Sequence, residues 1–323
     1  MTDATSHHAL AETAPEPGLN DFIRLLKPRV MSLVIFTALA AMVAAPAASH
    51  WVEAVSALIC IAVGAGAAGA LNMWWDADID AEMSRTQARP VPQGAVTPEE
   101  ARNFGLGLSL LSVMVLGVVA NWLAAGLLAF TIFFYIVIYT AWLKRSTPQN
   151  IVIGGAAGAF PPVVAWAAVT GEVALAPVLM FLVIFLWTPP HFWALALWRC
   201  RDYAVVSVPM LPVVAGDAAT RRQIWWYSLA LVPVTLLPAV TIAGGPIYTA
   251  VALYVSAIFL RDAWRVACRT EAEAEADKFR SEKRLFGFSI VFLFALFGGF
   301  IADALLRAGL GLAGVDFYWP VWF

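Results

Sequence analysis

Apolar and polar stretches alternate along this chain on the length scale of a membrane. Long apolar runs fall at about 30–48, 52–73, 104–120, 122–142, 150–170, 174–197, 226–244, 246–262 and 286–306. Each is close to the roughly 20 residues that carry an α-helix across a bilayer core. None shows the two-residue alternation of a strand. Lipid cannot satisfy open backbone groups, so runs this apolar must be helices. The pattern predicts an all-α fold, a polytopic membrane helix bundle of about nine transmembrane helices. The bundle domain covers 21–310, between a polar, disordered tail (1–20) and a short tail (311–323).

The basic residues then set a topology. The connections after the first, third, fifth and seventh runs hold no Lys or Arg. The N-terminal segment and the connections after the second, fourth, sixth and eighth hold all the others; of the 20 basic residues only Arg307 lies elsewhere. By the positive-inside rule, that side is expected to be cytoplasmic, with the N-terminus inside and the C-terminus periplasmic. An even number of spans would break the alternation.

Composition narrows the class. The chain is 61% hydrophobic and 13% charged, whereas soluble domains carry about a quarter charged residues. A net charge of −2 gives no reason to expect a nucleic-acid partner. Cys60, Cys200 and Cys268 lie far apart with no CxxC spacing, which argues against a zinc site or disulfide framework. The first 20 residues contain no Lys or Arg and no long apolar core, unlike a signal or transit peptide. A bacterial inner membrane is the expected location, with the lipid bilayer as a permanent partner.

Against this apolar background one stretch stands out, "NMWWDADIDAEMSRTQARP" at 72–90. Asn72, Asp76 and Asp80 are four residues apart, so on a helix they form one stripe, from which Asp78 turns away. Two carboxylates and an amide suit a hard cation such as Mg2+, which keeps waters and is shared with a substrate's phosphates. The plain alternative is a solvated helix end. Arg85 and Arg89 follow, and "YTAWLKR" (139–145) adds Lys144 and Arg145. Guanidinium forks match phosphate oxygens, but basic residues also belong at cytoplasmic helix ends, so both readings stand. The second polar region, "TPPHFWALALWRCRDYAVVSVPMLPVVAGD" (188–217), contains His191, the one His inside an expected span; His7, His8 and His50 fall in the tail or a loop. Pro189 and Pro190 are expected to kink the helix there. A kink beside an ionisable residue suits a lined cavity, although His191 could equally be hydrogen-bonded within the bundle. Together these features suit a pocket that holds magnesium and a diphosphate at the cytoplasmic ends, with an apolar prenyl tail among the helices.

The quoted stretches, nine helices and a polar loop after the sixth resemble the UbiA-like superfamily of intramembrane prenyltransferases. "NMWWDADIDAEMSRTQARP", "YTAWLKRSTPQNIVIGGAAGAFPPVVAW" and "WTPPHFWALALWRCRDYAVVSVPMLPVV" are similar to its protoheme IX farnesyltransferase (haem O synthase) family, over roughly 20–306. The resemblance implies transfer of a farnesyl group from farnesyl diphosphate to a vinyl group of haem B, giving haem O for respiratory oxidases. A downstream haem A synthase is an implied partner. It further implies that Asn72, Asp76 and Asp80 hold magnesium, that Arg85, Arg89, Lys144 and Arg145 bind the diphosphate, and that His191 with Arg199, Arg201, Asp202 and Tyr203 faces haem or a second metal. Many superfamily members carry a second DxxxD motif after the sixth span; here only Asp202 is present, with Trp198 and Val206 at the flanking positions. A UbiA-like enzyme acting on a quinone precursor, and a membrane transporter, are the competing readings. A transporter should keep its charges near the midplane, and here they gather at the ends.

Overall fold

The structure, a computed structural model, describes residues 17–47, 50–313, 315 and 318–321. Most of the expected N-terminal tail, and part of the C-terminal one, lie outside the described residues. Thirteen helical elements follow one another, and no strand occurs among the described residues. They are α1 (Leu19–Leu25), α2 (Pro28–Ala44), α3 (Trp51–Trp75), α4 (Ala77–Glu82), α5 (Pro98–Val119), α6 (Trp122–Ser146) and α7 (Asn150–Thr170). After these come α8 (Leu175–Trp198), α9 (Cys200–Val205), α10 (Leu211–Val240), α11 (Pro246–Ala267), α12 (Glu271–Ala276) and α13 (Arg280–Leu312).

Eight of these helices are long and apolar enough to cross a membrane, or nine with the bent pair α1–α2 counted as one span. On its own α2 has 17 residues, about 26 Å at 1.5 Å per residue, just short of a bilayer core. It meets α1 at 55°. The elbow is built by Pro28 at the first helical position and by Lys27, whose φ of 52° is left-handed. In sequence α3 packs on α5, α5 on α6, α7 on α8, α8 on α10, α10 on α11 and α11 on α13. The last span, α13, packs against α2 and closes the bundle.

Lipid offers no hydrophobic drive between helices, so close backbone approach does the work. The small-residue run 154–159 meets this need. A Cβ at Gly155 would stand 2.9 Å from the Thr188 Cβ of α8, and one at Gly154 would stand 2.1 Å from the Tyr139 ring of α6. At the end opposite the acidic stretch, the buried Asp303 carboxylate accepts from the Ile247 and Tyr248 amides at the start of α11, at 3.1 and 2.7 Å. It thereby satisfies two of that helix's free N–H groups.

Three segments differ from the expectation. The connection expected at 198–225 is mostly helical: α10 begins at Leu211, with Pro212 pre-setting its first turn. The helix breaks at Gly216, where φ is 81° and a side chain would be strained. The span expected at 104–120 begins at Pro98, because Thr97 and Glu100 form a reciprocal capping box. The final span, expected at 286–306, runs from Arg280 to Leu312. Finally, α6 is wound as a π-helix over Phe134–Leu143, a form that recurs at functional sites.

Candidate active site

The acidic stripe survives as one face. Helix α3 ends at Trp75, yet the Asp76 amide donates to Asn72 O at 3.0 Å and the Asp80 amide to Asp76 O at 2.8 Å. The four-residue register therefore runs on into α4. Asn72, Asp76 and Asp80 are all buried, whereas the Asp78 side chain is 65% exposed.

A cation meets each member of the stripe, from a different part of the chain. Lys144 Nζ, at the end of the widely wound segment of α6, donates to Asp76 Oδ2 at 2.6 Å. Arg89 pairs with Asp80 Oδ2 at 2.5 Å. Lys27 Nζ, from the α1–α2 elbow, donates to Asn72 Oδ1 at 2.6 Å. Asn72 Nδ2 donates in turn to Asp76 Oδ2 at 2.7 Å and to Thr140 Oγ1 at 3.1 Å. Lys27, Arg89 and Lys144 thus crowd two carboxylates and an amide in a largely buried site. A polyanionic ligand that brings its own cation fits a site so rich in cationic and N–H donors.

The Asp76 Oδ1 atom is buried and accepts no hydrogen bond; Arg145 Nη2 stands 3.6 Å from it. An orphaned buried carboxylate oxygen costs free energy unless something satisfies it. With Asp80 one turn on, it is a hard oxygen donor of the kind Mg2+ takes in ones and twos alongside phosphate. Among the described residues no group of three or more His, Cys, Asp or Glu is placed to hold a metal alone. These residues therefore fit a shared magnesium, with the remaining ligands coming from substrate and water.

The other expected residues divide. Arg145 makes a two-pronged pair with Asp78, both bonds at 2.8 Å, and also reaches Trp75 O at 3.3 Å. Those bonds hold the Asp78 carboxyl below its ordinary range. The pair borders a cleft of about 370 Å³ also lined by Val205–Val208; neither Asp76 nor Asp80 lines it. Arg85 and Arg201 are exposed. Arg199 pairs with Asp202 at 3.5 Å, and Asp202 accepts from Ser84 Oγ at 3.1 Å on both oxygens. Tyr203 is buried in a cluster with Ile79, Met83, Ile151 and Met210. The second polar region thus packs under the first and holds α4 in place.

His191, on α8, is buried between two aromatic faces. The Trp187 ring centroid lies 4.3 Å away and that of Phe286 4.5 Å away, both nearly parallel to the imidazole. Its Nδ1 is 2.6 Å from Ser289 Oγ on α13. Pro189 and Pro190 sit within α8, which remains one helix from Leu175 to Trp198.

Lys27, Thr140, Ser84 and Ser289 join these contacts although no spacing in the sequence singles them out. Lys27 had one signal, a Lys directly before the Pro that starts a helix. The others lie 68, 118 and 98 residues from their partners, and no local pattern marks them.

The helical fold is shared with solved structures: a digeranylgeranylglyceryl phosphate synthase (TM-score 0.70, 15% identity, 89% of this chain and 99% of that one) and a UbiA homolog from Archaeoglobus fulgidus bound to GPP and Mg2+ (0.63, 14%, 87% and 99%). At such identities the likeness is one of fold. The model of the UbiA prenyltransferase family matches residues 33–290. The chain belongs to the UbiA prenyltransferase family. Within that family, it is 59% identical over 321 residues to the protoheme IX farnesyltransferase of Parvibaculum lavamentivorans, covering 98% of this chain and 99% of that one. It is 56% identical over 315 residues to the one from Dinoroseobacter shibae, covering 97% and 100%. As a family member it is a prenyltransferase and a multi-pass membrane protein.

Proposed function

We propose that this prenyltransferase joins the farnesyl group of farnesyl diphosphate to a vinyl group of haem B, with addition of water, to give haem O. The observation that carries the reading is the convergence of Lys27, Arg89 and Lys144 on the buried Asn72–Asp76–Asp80 stripe. The names of its near full-length relatives supply the acceptor.

Asp76, Asp80 and Asn72 would hold magnesium, which supplies Lewis-acid neutralisation of the diphosphate when bound. Lys144 and Arg89, anchored by the same carboxylates, stabilise negative charge as it develops on the departing diphosphate. Arg145 tethers α4 to α6 through Asp78, and Arg85, free of any tether among the described residues, reaches the diphosphate from the loop. As the C–O bond to diphosphate breaks, the vinyl carbons attack the allylic cation. The new cation beside the porphyrin takes up water and releases a proton, leaving the alcohol. The aromatic surroundings of α6 and α8 shelter these cations and exclude water until then.

His191 faces haem, and Arg199 or Arg201 pairs with its propionates. The end carrying the acidic stripe is cytoplasmic, in a bacterial inner membrane, and the product passes to a haem A synthase that serves respiratory oxidases. The test is product analysis with farnesyl diphosphate, Mg2+ and haem B. Haem O is expected; a prenylated quinone precursor formed in its place from a mixed acceptor pool would refute the acceptor assignment.

A further inference from the structure

His191 and Ser289 come from α8 and α13, are both buried, and meet where those two helices pack, toward the Trp198 end of α8. Ser289 Oγ has two neighbours at 2.6 Å, the Phe286 carbonyl oxygen and His191 Nδ1. It carries one proton. A carbonyl oxygen accepts and never donates, so the hydroxyl proton belongs to Phe286 O. The contact with His191 is then a hydrogen bond only if Nδ1 carries a proton and donates it to the Ser289 oxygen. In the neutral ring this fixes the tautomer and leaves Nε2 as a bare lone pair.

The surroundings hold the ring in that orientation. Trp187 and Phe286 cover its two faces. Trp187 is itself fixed by its indole N–H, which donates to the Ser289 carbonyl at 2.8 Å. Among the described residues Nε2 makes no hydrogen bond, and it is not one of the fully enclosed polar atoms. The residue as a whole keeps 8% of its surface accessible. A neutral imidazole whose far nitrogen donates to a fixed acceptor is the form in which His ligates metals. A nitrogen lone pair flanked by aromatic rings suits a borderline or soft metal better than Mg2+. A porphyrin brings four nitrogens of its own, so one protein ligand completes such a site.

We propose that Ser289 is a positioning residue, holding His191 in its Nδ1–H tautomer so that Nε2 is offered as an axial ligand to the iron of the haem acceptor. This rests on the reading of haem B as the acceptor substrate. The test uses the purified full-length protein in detergent, titrated with haem B alone and followed by its Soret band. Wild type is expected to give a saturable, imidazole-ligated spectrum. His191→Ala should lose that signature, and added imidazole should restore it. Ser289→Ala should weaken haem affinity about 10–100-fold, the usual effect of removing such an outer partner, while Ser289→Thr, which keeps the hydroxyl, stays near wild type.

Equal affinity and spectrum in Ser289→Ala and wild type would overturn the positioning role. An unchanged spectrum in His191→Ala would overturn iron ligation while leaving haem as acceptor. No haem uptake by wild type would overturn the acceptor reading itself. Should Ser289→Ala fail to fold, nitrogen-15 NMR of labelled histidine in the wild-type chain reads the tautomer directly: a proton on Nδ1 supports the proposal, and one on Nε2 refutes it.

Discussion

Replacing Asp76 by Asn removes one charge and almost no volume, so it separates electrostatics from packing. Asp76 is fully buried, with Lys144 at 2.6 Å and that lysine only 16% exposed. Breaking a buried pair from one side costs about 3–5 kcal/mol. The amide keeps an oxygen for Asn72 or Lys144, which holds the stability loss toward the low end of that range. The substitution also removes a hard anionic ligand for the magnesium on the diphosphate and loosens the anchor of Lys144. If that weakens transition-state stabilisation by about 3–4 kcal/mol, the rate falls about tenfold for each 1.36 kcal/mol. Turnover by Asp76→Asn should therefore fall by about 10²–10³-fold or more, and Asp80→Asn should follow it. Asp78 is different. Its pair with Arg145 is exposed, a class worth about 0–1 kcal/mol, so Asp78→Asn should cost about fivefold at most. The assay is initial rate at saturating Mg2+, with thermal melting in detergent as the folding control. If Asp78→Asn is the most damaging of the three, or Asp76→Asn stays within about tenfold of wild type, the stripe is not the catalytic face.

A reporter fused at residue 95 should be found in the cytoplasm and one fused after residue 310 in the periplasm; both on one side would exclude an odd number of spans. Gly154→Ala forces a methyl to within 2.1 Å of the Tyr139 ring, whose base is only 3.0 Å away. It should lower stability by about 1–3 kcal/mol and disturb the segment that delivers Lys144; an unchanged melting temperature would contradict that packing. The Arg145 hydrogen bond lowers the Asp78 pKa from its ordinary 3.8, so the tether's contribution is present above that value and is lost as pH falls through the lowered one. The melting-temperature difference between wild type and Asp78→Asn should accordingly be flat near neutrality and vanish in strong acid, and a difference already lost near about pH 6 would point to another group.

What the sequence showed most clearly was what repeats. Nine apolar runs must be helices in lipid, and the four-residue spacing of Asn72, Asp76 and Asp80 persists even though the helix is interrupted at Asp76. Asp78 turns outward as that spacing requires. The features that escaped depend on bends and long-range meetings. The elbow at Lys27 rests on one left-handed residue, and only the 55° turn brings its ammonium to Asn72. The wide winding of α6 has no local signature in "FYIVIYTAWL". The early start of α5 was legible in Thr97-Pro98-Glu99-Glu100, a capping box with Pro at the first position, but the apolar run begins later and masks it. Likewise Pro212 marks the start of α10, whereas the polar residues 217–222 suggest a loop. The Ser289–His191 contact joins two spans 98 residues apart, and only the packed bundle brings them together.

The most direct test of the account is to incubate the purified protein with farnesyl diphosphate and haem B, with Mg2+ and then with chelator, and to identify the haem products by chromatography and mass. Haem O, carrying one hydroxyethylfarnesyl group, should form with Mg2+ and be abolished by chelation. Unmodified haem B after full incubation of folded protein, or farnesylation that chelation leaves untouched, would contradict the account.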